Sequence, residues 1–238
     1  MINRNKIFRH ELKYYINYFE YHSLRVRLSK ILKLDRHAKS NGDYHIRSLY
    51  FEDSDSSAIS EKQAGILERK KWRIRIYNLE DKVIKLEKKS RIGQFINKQS
   101  SNLTLGNYYD IRNKKYDFLL TSNNPLFIEF YSDLINHQFK PKVIVDYRRE
   151  AYVSRLSNTR ITFDKNLRTG LNSTDLFNKQ QTTMNAIDED LMILEIKYDN
   201  FLPNYVKNIL QLPSSQRSAI SKYVISTKFT KTNKWEDQ

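Results

Sequence analysis

The sequence contains no cysteine, and glycine and proline are scarce, with five and four residues in a chain of 238. Without cysteine the chain cannot form disulfides, thiolate nucleophiles or thiolate-bound metal sites. The glycines are too scattered to build a P-loop or a GxGxxG turn. Any phosphate bound by this chain must therefore be held mainly by side chains.

Three further kinds of signal are missing. The five histidines occur in no HExxH or related spacing, so a histidine-bound zinc is not expected, and any metal should be hard and oxygen-bound. No stretch approaches the roughly 18 uncharged apolar residues that a membrane helix needs. Residues 1–35 do not have the pattern of a secretory signal, so we expect a cytoplasmic protein.

Positive charge is what the sequence has in excess. It contains 42 Lys and Arg residues against 27 Asp and Glu residues, which gives a formal net charge of +15. A polyanionic ligand is therefore expected, and nucleic acid, anionic lipid and phosphate chains all qualify at this point. No repeat, linker or block of one charge divides the chain, which predicts a single domain over residues 1–238.

Period-two alternation of apolar and polar residues predicts several strands, most of them antiparallel. The segments are Tyr44–Phe51, Glu68–Tyr77, Lys82–Lys89, Lys142–Tyr152, Arg160–Asp164 and Met192–Tyr198. Helical spacing predicts helices over Phe19–Lys33 and Asn107–Leu120, and a third after Pro213, capped by Ser214 or Ser215 and running through Ile220. The polar stretch Gly170–Thr183 is interpreted as a loop.

Charged residues repeatedly share one face of these strands, because side chains at i and i+2 point to the same side. The groups are Arg9, Glu11 and Lys13; Lys71, Arg73 and Arg75; Lys85, Glu87 and Lys89; and Glu195 with Lys197. For any single strand, a solvated outer face is the ordinary explanation. If a closed sheet brought the ionic faces together, a bound anion or metal would offset their like charge. The glutamates disfavour a pure nucleic-acid groove and suit a divalent cation bridging to phosphate.

Eight short strings resemble, in order, those of the VTC-type polyphosphate polymerase domain in the triphosphate tunnel metalloenzyme (CYTH-like) superfamily. They are RHELKY from Arg9, SLYFED from Ser48, KWRIRIY from Lys71, KLEKK from Lys85, PKVIVDYRREAY from Pro141, RITFD from Arg160, MILEIKY from Met192 and SAISKY from Ser218. The resemblance spans nearly the whole chain. It implies an α+β fold in which flanking helices surround an antiparallel eight-stranded barrel with a charged lumen.

The resemblance also implies roles for individual residues. The catalytic cations would be Arg73, Arg75, Lys89, Arg149 and Arg160. Phosphate would be bound by Lys13, Lys98 and Lys222, with Arg9 and Lys85 as further candidates. Manganese or magnesium would be held by Glu195, with Glu87 and Glu11 as weaker candidates for the metal or for ordering neighbouring lysines. An exposed charge or a structural ion pair is the alternative for each of them.

The implied activity is transfer of the terminal phosphoryl group of ATP to phosphate or to a polyphosphate end inside a cationic tunnel. One alternative is an inorganic or nucleoside triphosphatase of the same fold. Another is a noncatalytic module that binds polyphosphate or RNA, which is favoured by the net charge and by Trp72, Tyr77 and Tyr147 among basic residues. Nucleic acid is not the expected partner, and a membrane-protein partner stays open.

Overall fold

The computed structural model of the chain describes residues 10–53, 68–92, 95–154, 158–170, 173–199, 201–210 and 220–232. The chain divides into two compact units. The first unit comprises Met1–His45, Asp146–Thr169 and Thr183–Gln238, and the second comprises Ile46–Val145 and Gly170–Thr182. The single domain expected over residues 1–238 stays a prediction.

The described residues form an antiparallel sheet with flanking helices, which confirms the α+β class. The strands are β1 His10–Asn17, β2 Lys33–Leu34, β3 Tyr44–Glu52, β4 Glu68–Tyr77, β5 Glu80–Ile92, β6 Phe95–Leu103, β7 Lys140–Val153, β8 Arg160–Thr169, β9 Met184–Asn185 and β10 Leu191–Tyr198. The helices are α1 Tyr18–Ser29, α2 Leu105–Arg112, α3 Asp117–Thr121, α4 Pro125–Asn136, α5 Asn204–Ile209 and α6 Lys222–Thr232. None of these helices has the length and apolar character needed to span a membrane.

The hydrogen-bonded strand order is β1-β10-β8-β7-β3-β4-β5-β6, with β2 beside β7 and β9 beside β8. Strands β3 and β7 contribute residues to both units. Eight strands thus lie on one path, as expected, and two short strands lie off it. Within the described ranges the order begins at β1 and ends at β6, so the closed barrel implied by the resemblance is not confirmed.

The core of the first unit lies between α1 and one face of β1, β10 and β8. Leu24 and Leu28 of α1 are fully buried with Phe163 and Leu194 of the sheet. The helix begins with a capping box, in which the side chain of Asn17 accepts from the Glu20 amide at 2.9 Å and Glu20 accepts from the Asn17 amide at 3.0 Å. It ends at Ser29 rather than Lys33, because the chain turns there to pair β2 with β7.

A buried carboxylate also ties α1 to β7. Glu150 is 1% exposed and accepts hydrogen bonds from Tyr21 of α1 at 2.6 Å and from Tyr152 at 2.7 Å. The Nε of Arg25 donates to the same carboxylate at 2.9 Å. These contacts lie on the helix-covered side of β7, because Tyr152 belongs to the core that α1 covers.

The core of the second unit lies between β3, β4, β5 and the helices α2 to α4. Trp72 of β4 is fully buried, and its ring lies 4.8 Å from that of Phe130 in α4. The indole N–H of Trp72 donates to Asp133 at 2.6 Å, and the ammonium of Lys70 donates to the same carboxylate at 2.5 Å. Helix α4 starts with Pro125 after the N-cap residue Asn124. Proline suits this first position because its missing backbone N–H would have no partner within the helix.

Several elements differ from the sequence predictions. The single helix expected over Asn107–Leu120 is two helices, α2 and α3, separated by a turn in which Lys114 has a φ of 59°. Strand β6 and helix α4 were not predicted. The proposed caps Ser214 and Ser215 lie outside the described residues, and Ile220 precedes α6 instead of lying within it.

Replacing Phe130 with alanine tests which face of α4 is inward. The side chain is fully buried against Trp72 and Phe51, so Phe130→Ala should lower the free energy of unfolding by about 3–5 kcal/mol. Ile128 of the same helix is 43% exposed, and Ile128→Ala should cost less than about 1 kcal/mol. Urea denaturation measures both, and equal losses would contradict this orientation of the helix.

Candidate phosphate and metal site

One charged face lies in the first unit, on the side of β1, β10, β8 and β7 that faces away from the α1 core. We term it the first ionic face. It comprises Glu11, Lys13, Arg149, Arg160, Asp164, Glu195 and Lys197 from the strands and Lys222 from α6. The residues share a side because directly opposed residues of an antiparallel pair point the same way.

Opposite charges alternate along the β1 and β10 pair of this face. Glu11 lies opposite Lys197, and Lys13 lies opposite Glu195. The Nζ of Lys13 is 2.7 Å from a Glu11 oxygen and 3.5 Å from a Glu195 oxygen, while Lys197 reaches the other oxygen of Glu195 at 2.6 Å. The carboxylates of Glu11 and Glu195 therefore converge on one ammonium group.

Asp164 of β8 is the most completely buried carboxylate of the first ionic face, with no exposed surface. Arg149 binds it in a bidentate manner, with Nε at 2.6 Å from one oxygen and a terminal nitrogen at 2.7 Å from the other. The Nζ of Lys222 lies 2.5 Å from that second oxygen. Arg160, on the same strand, instead pairs with Asp35 at 2.5 Å and with the Tyr44 hydroxyl at 2.9 Å.

Both buried carboxylates of this face stay ionised. Burial alone would raise the pKa of Glu195, but Lys197, Lys13, Lys222 and Arg149 outweigh it and hold the pKa well below its ordinary value. Burial likewise raises the pKa of Asp164, and the charges of Arg149 and Lys222 lower it below the ordinary value. A carboxylate that is already charged needs no deprotonation before it binds a cation.

A second charged face lies in the second unit, on the side of β3 to β6 that faces away from the Trp72 core. We term it the second ionic face. It comprises Glu52, Lys71, Arg73, Arg75, Lys85, Glu87, Lys89 and Lys98. Among these eight residues, six cations exceed two carboxylates, and Lys89 lies between Lys71 and Lys98 in the register. This face is therefore cation-rich, whereas the first is charge-paired.

Arg73 and Arg75 of β4 are held from both neighbouring strands. Arg73 binds Glu87 of β5 at 2.7 Å and the Tyr50 hydroxyl of β3 at 2.8 Å. Arg75 donates to the Ser48 hydroxyl at 3.0 Å and lies 3.8 Å from Glu87. Donors fixed in this way need little reorganisation when an anion binds.

Glu87 is 1% exposed and is surrounded by cations. Burial would raise its pKa, but Arg73, Arg75 and Lys98 hold the pKa below the ordinary value. Burial, together with repulsion from Arg73 and Arg75, lowers the pKa of Lys98 to about 8, although Glu87 opposes the shift. Of the two roles considered for Glu87, these surroundings favour the ordering of cations over the binding of a metal.

The structure places twelve of the thirteen predicted site residues on these two faces. The first ionic face holds Glu11, Lys13, Arg149, Arg160, Glu195 and Lys222, and the second holds Arg73, Arg75, Lys85, Glu87, Lys89 and Lys98. Arg9 lies outside the described residues. The functional roles of all thirteen stay predictions.

Sequence reasoning missed Asp164, Ser48 and Tyr50 as members of the site. Each lies within a string that carried the resemblance, and for Asp164 strand parity was a signal that could have found it. Asp164 lies four residues after Arg160 and so shares its strand face, whereas Ser48 and Tyr50 lie opposite Arg75 and Arg73 of the neighbouring strand. Their partners come from other strands, which one-strand parity does not reveal.

A divalent metal fits the first ionic face only with help from a ligand. Among the described residues, no group of three or more acidic or histidine side chains is placed to hold a metal ion. The side chains of Glu11 and Glu195 are 7% and 5% exposed and converge, so two carboxylates are available. Magnesium is commonly bound by one or two carboxylates together with substrate phosphates, and this donor set has that form.

Solved structures share the fold at low sequence identity. The protein HpAC1 from Hippeastrum, whose structure is described as revealing a dominant triphosphatase activity, matches with a TM-score of 0.56 and 15% identity, covering 93% of this chain and 95% of that one. The PH1819 protein from Pyrococcus horikoshii OT3 matches with a TM-score of 0.50 and 12% identity, covering 93% and 99%. No curated protein sequence matches, and none of the comparisons supports a membrane-protein partner.

The antiparallel sheet with flanking helices is the fold that this chain shares with those structures, as the resemblance implied. The family model described as the VTC domain matches residues 8–231, which is nearly the whole chain. The chain belongs to the VTC domain family. The family implies nucleotide triphosphate or phosphate substrates and dependence on a divalent metal, without specifying which metal.

The pKa of Lys98 gives a pH-dependent prediction. The pKa falls from 10.5 to about 8 on folding, so between these values the unfolded chain binds more protons and the free energy of unfolding should rise with pH. A ¹³C titration of the lysine Cε should show half-protonation of Lys98 near pH 8. Glu87→Gln removes the attraction that opposes the shift, so it should lower this midpoint further. A midpoint near 10 in both proteins would contradict the described surroundings of Lys98.

Proposed function

We propose that this chain is a metal-dependent polyphosphate polymerase, which transfers the terminal phosphoryl group of ATP to inorganic phosphate or to a polyphosphate end. Membership of the VTC domain family supports the substrate class. Each ionic face carries cations that can neutralise phosphate charge, and the first also carries two converging carboxylates. Manganese or magnesium is the proposed metal.

The observation that carries this proposal is the excess of positive charge on the second ionic face. Lys71, Lys89 and Lys98 are neighbours across three strands, and Arg75 is only 5% exposed. Like charges placed directly opposite each other destabilise a sheet. A ligand that repeats negative charge, as a phosphate chain does, would be attracted along this row of lysines.

Phosphoryl transfer depends on positioning and on neutralising charge more than on a covalent nucleophile. Arg73 and Arg75 present planar guanidinium groups, which match phosphate oxygens and remain charged at any working pH. Their contacts with Tyr50, Ser48 and Glu87 fix them before substrate arrives. They would thus stabilise charge in the transition state without first having to move.

Glu195 and Glu11 would hold the metal, which when bound would neutralise phosphate oxygens during the transfer. The ammonium of Lys13 now contacts both carboxylates. When the carboxylates turn to the metal, the ammonium of Lys13 would bind phosphate in their place. Lys197 would continue to balance the charge of Glu195, to which it binds at 2.6 Å.

Triphosphate hydrolysis is the second candidate function. The structural match to HpAC1, described as having a dominant triphosphatase activity, favours it. The same cations and metal would be used, and the acceptor would be water instead of phosphate. The two reactions therefore differ in their products, not in the charged residues that they need.

Product analysis separates these functions. Purified chain would be incubated with ATP and manganese or magnesium, and the products would be resolved on urea–polyacrylamide gels and assayed for free phosphate. The proposal predicts a ladder of polyphosphate that needs the metal. Free phosphate without polymer would establish hydrolysis in its place. Unchanged ATP together with tight binding of tripolyphosphate would indicate a noncatalytic module and overturn both enzyme assignments.

Glu195→Gln tests the assignment of the metal ligand. The amide has nearly the same shape but is a poor ligand for a hard cation, so metal-dependent turnover should fall by about 100-fold or more. Electron paramagnetic resonance of manganese with tripolyphosphate should show the bound signal lost. Glu150→Gln is the control, since Glu150 is also buried in the first unit but lies on the helix-covered side. Normal manganese binding by Glu195→Gln would place the metal elsewhere.

A further inference from the structure

We propose that Asp164 is a positioning residue, which holds Arg149 and Lys222 as a fixed pair and docks the start of α6 on the first ionic face. Asp164 would act on phosphate only through these two cations. The inference rests on the proposed function, because the pair is taken to serve phosphoryl transfer.

Both oxygens of the Asp164 carboxylate are engaged by cations. One oxygen accepts from Nε of Arg149 at 2.6 Å, and the other accepts from a second nitrogen of Arg149 at 2.7 Å and lies 2.5 Å from the Nζ of Lys222. The side chain is fully buried. This arrangement differs from that of Glu11 and Glu195, which converge on the exchangeable ammonium of Lys13. Asp164 is therefore placed to organise cations rather than to bind a metal.

Arg149 and Lys222 would repel each other without this anion. Both also lie against the ring of Tyr147, with the guanidinium carbon of Arg149 5.3 Å and the Nζ of Lys222 5.1 Å from its centroid. Two cations that share one ring and one carboxylate are confined to a small region. The negative charge of Asp164 is what makes that confinement favourable.

The same contact anchors α6, because Lys222 is the first residue of that helix. The Nζ of Lys13 donates to the carbonyl of Ile220 at 3.2 Å, which adds a second polar link just before the helix begins. Tyr223 and Val224 are buried beside these contacts. The position of Lys222 is thus determined by the sheet beneath it, and Asp164 provides the ionic part of that attachment.

Loss of the carboxylate should separate catalysis from binding. Asp164→Asn removes a negative charge, so attraction of the first ionic face for an anion should not weaken. Arg149 and Lys222 would no longer be held in one place, and precise positioning matters more in the transition state than in the initial complex. The expected result is a fall in kcat of about tenfold or more, with KM for ATP unchanged or lower.

The experiment compares Asp164→Asn with Glu150→Gln, which removes another buried carboxylate of the same unit from the opposite side of the sheet. The kinetics of each variant, its Kd for tripolyphosphate by calorimetry and its hydrogen exchange over residues 222–232 would be measured. Asp164→Asn should lower kcat, retain tripolyphosphate binding and exchange faster in α6. Glu150→Gln should change kcat by less than about twofold and leave exchange in α6 at the wild-type rate.

The outcomes distinguish this inference from the proposed function. Suppose that the wild-type chain turns over ATP and that Asp164→Asn has a normal kcat and normal hydrogen exchange in α6. That result would overturn this inference and leave the proposed function standing. Equal losses of kcat and of tripolyphosphate affinity in both variants would show a purely structural role for Asp164. A wild-type chain without turnover would overturn the proposed function and the catalytic half of the inference, while the exchange rates would still decide whether Asp164 docks α6.

Discussion

The burial of carboxylates among cations is the constraint on which both charged faces depend. Glu87, Asp164 and Glu195 are each 4% exposed or less, yet neighbouring Lys and Arg side chains keep all three ionised. A lone buried charge is costly, and so is a row of unpaired cations. When buried carboxylates and cations are combined, a sheet can keep one apolar face under helices and a second face that is both charged and ordered.

The two faces differ in their balance of carboxylates and cations. On the first ionic face, opposite charges alternate between β1 and β10, and converging carboxylates leave a place where a metal could replace an ammonium group. On the second, the six cations named above outnumber the two carboxylates. We interpret the first as suited to a metal and the second as suited to phosphate.

Much of the strand structure follows from local alternation. Strand β4 has the predicted bounds, Glu68–Tyr77, because Trp72, Ile74 and Ile76 alternate with cations and only one face can be buried. Strand β6 has too few apolar residues for such a pattern, and its pairing with β5 identifies it instead. The helix expected through Ile220 begins at Lys222, where contacts with distant strands decide the boundary.

For the site as well, patterns within one strand predicted some residues, whereas contacts between distant segments could not be predicted. Parity placed Arg73 and Arg75 on one face, and the family resemblance added Lys98 and Lys222. Neither indicated that Asp164 joins Arg149 of one strand to Lys222 of a helix, because that contact spans residues far apart in sequence. Cross-strand register is needed to find residues whose role is to hold others.

Diffraction from crystals grown with manganese and tripolyphosphate tests the central claim most directly. The account predicts an anomalous manganese peak at the Glu195 carboxylate and phosphate density against the cations of the second ionic face. Manganese bound away from Glu195, with phosphate confined to exposed lysines outside both faces, would contradict it.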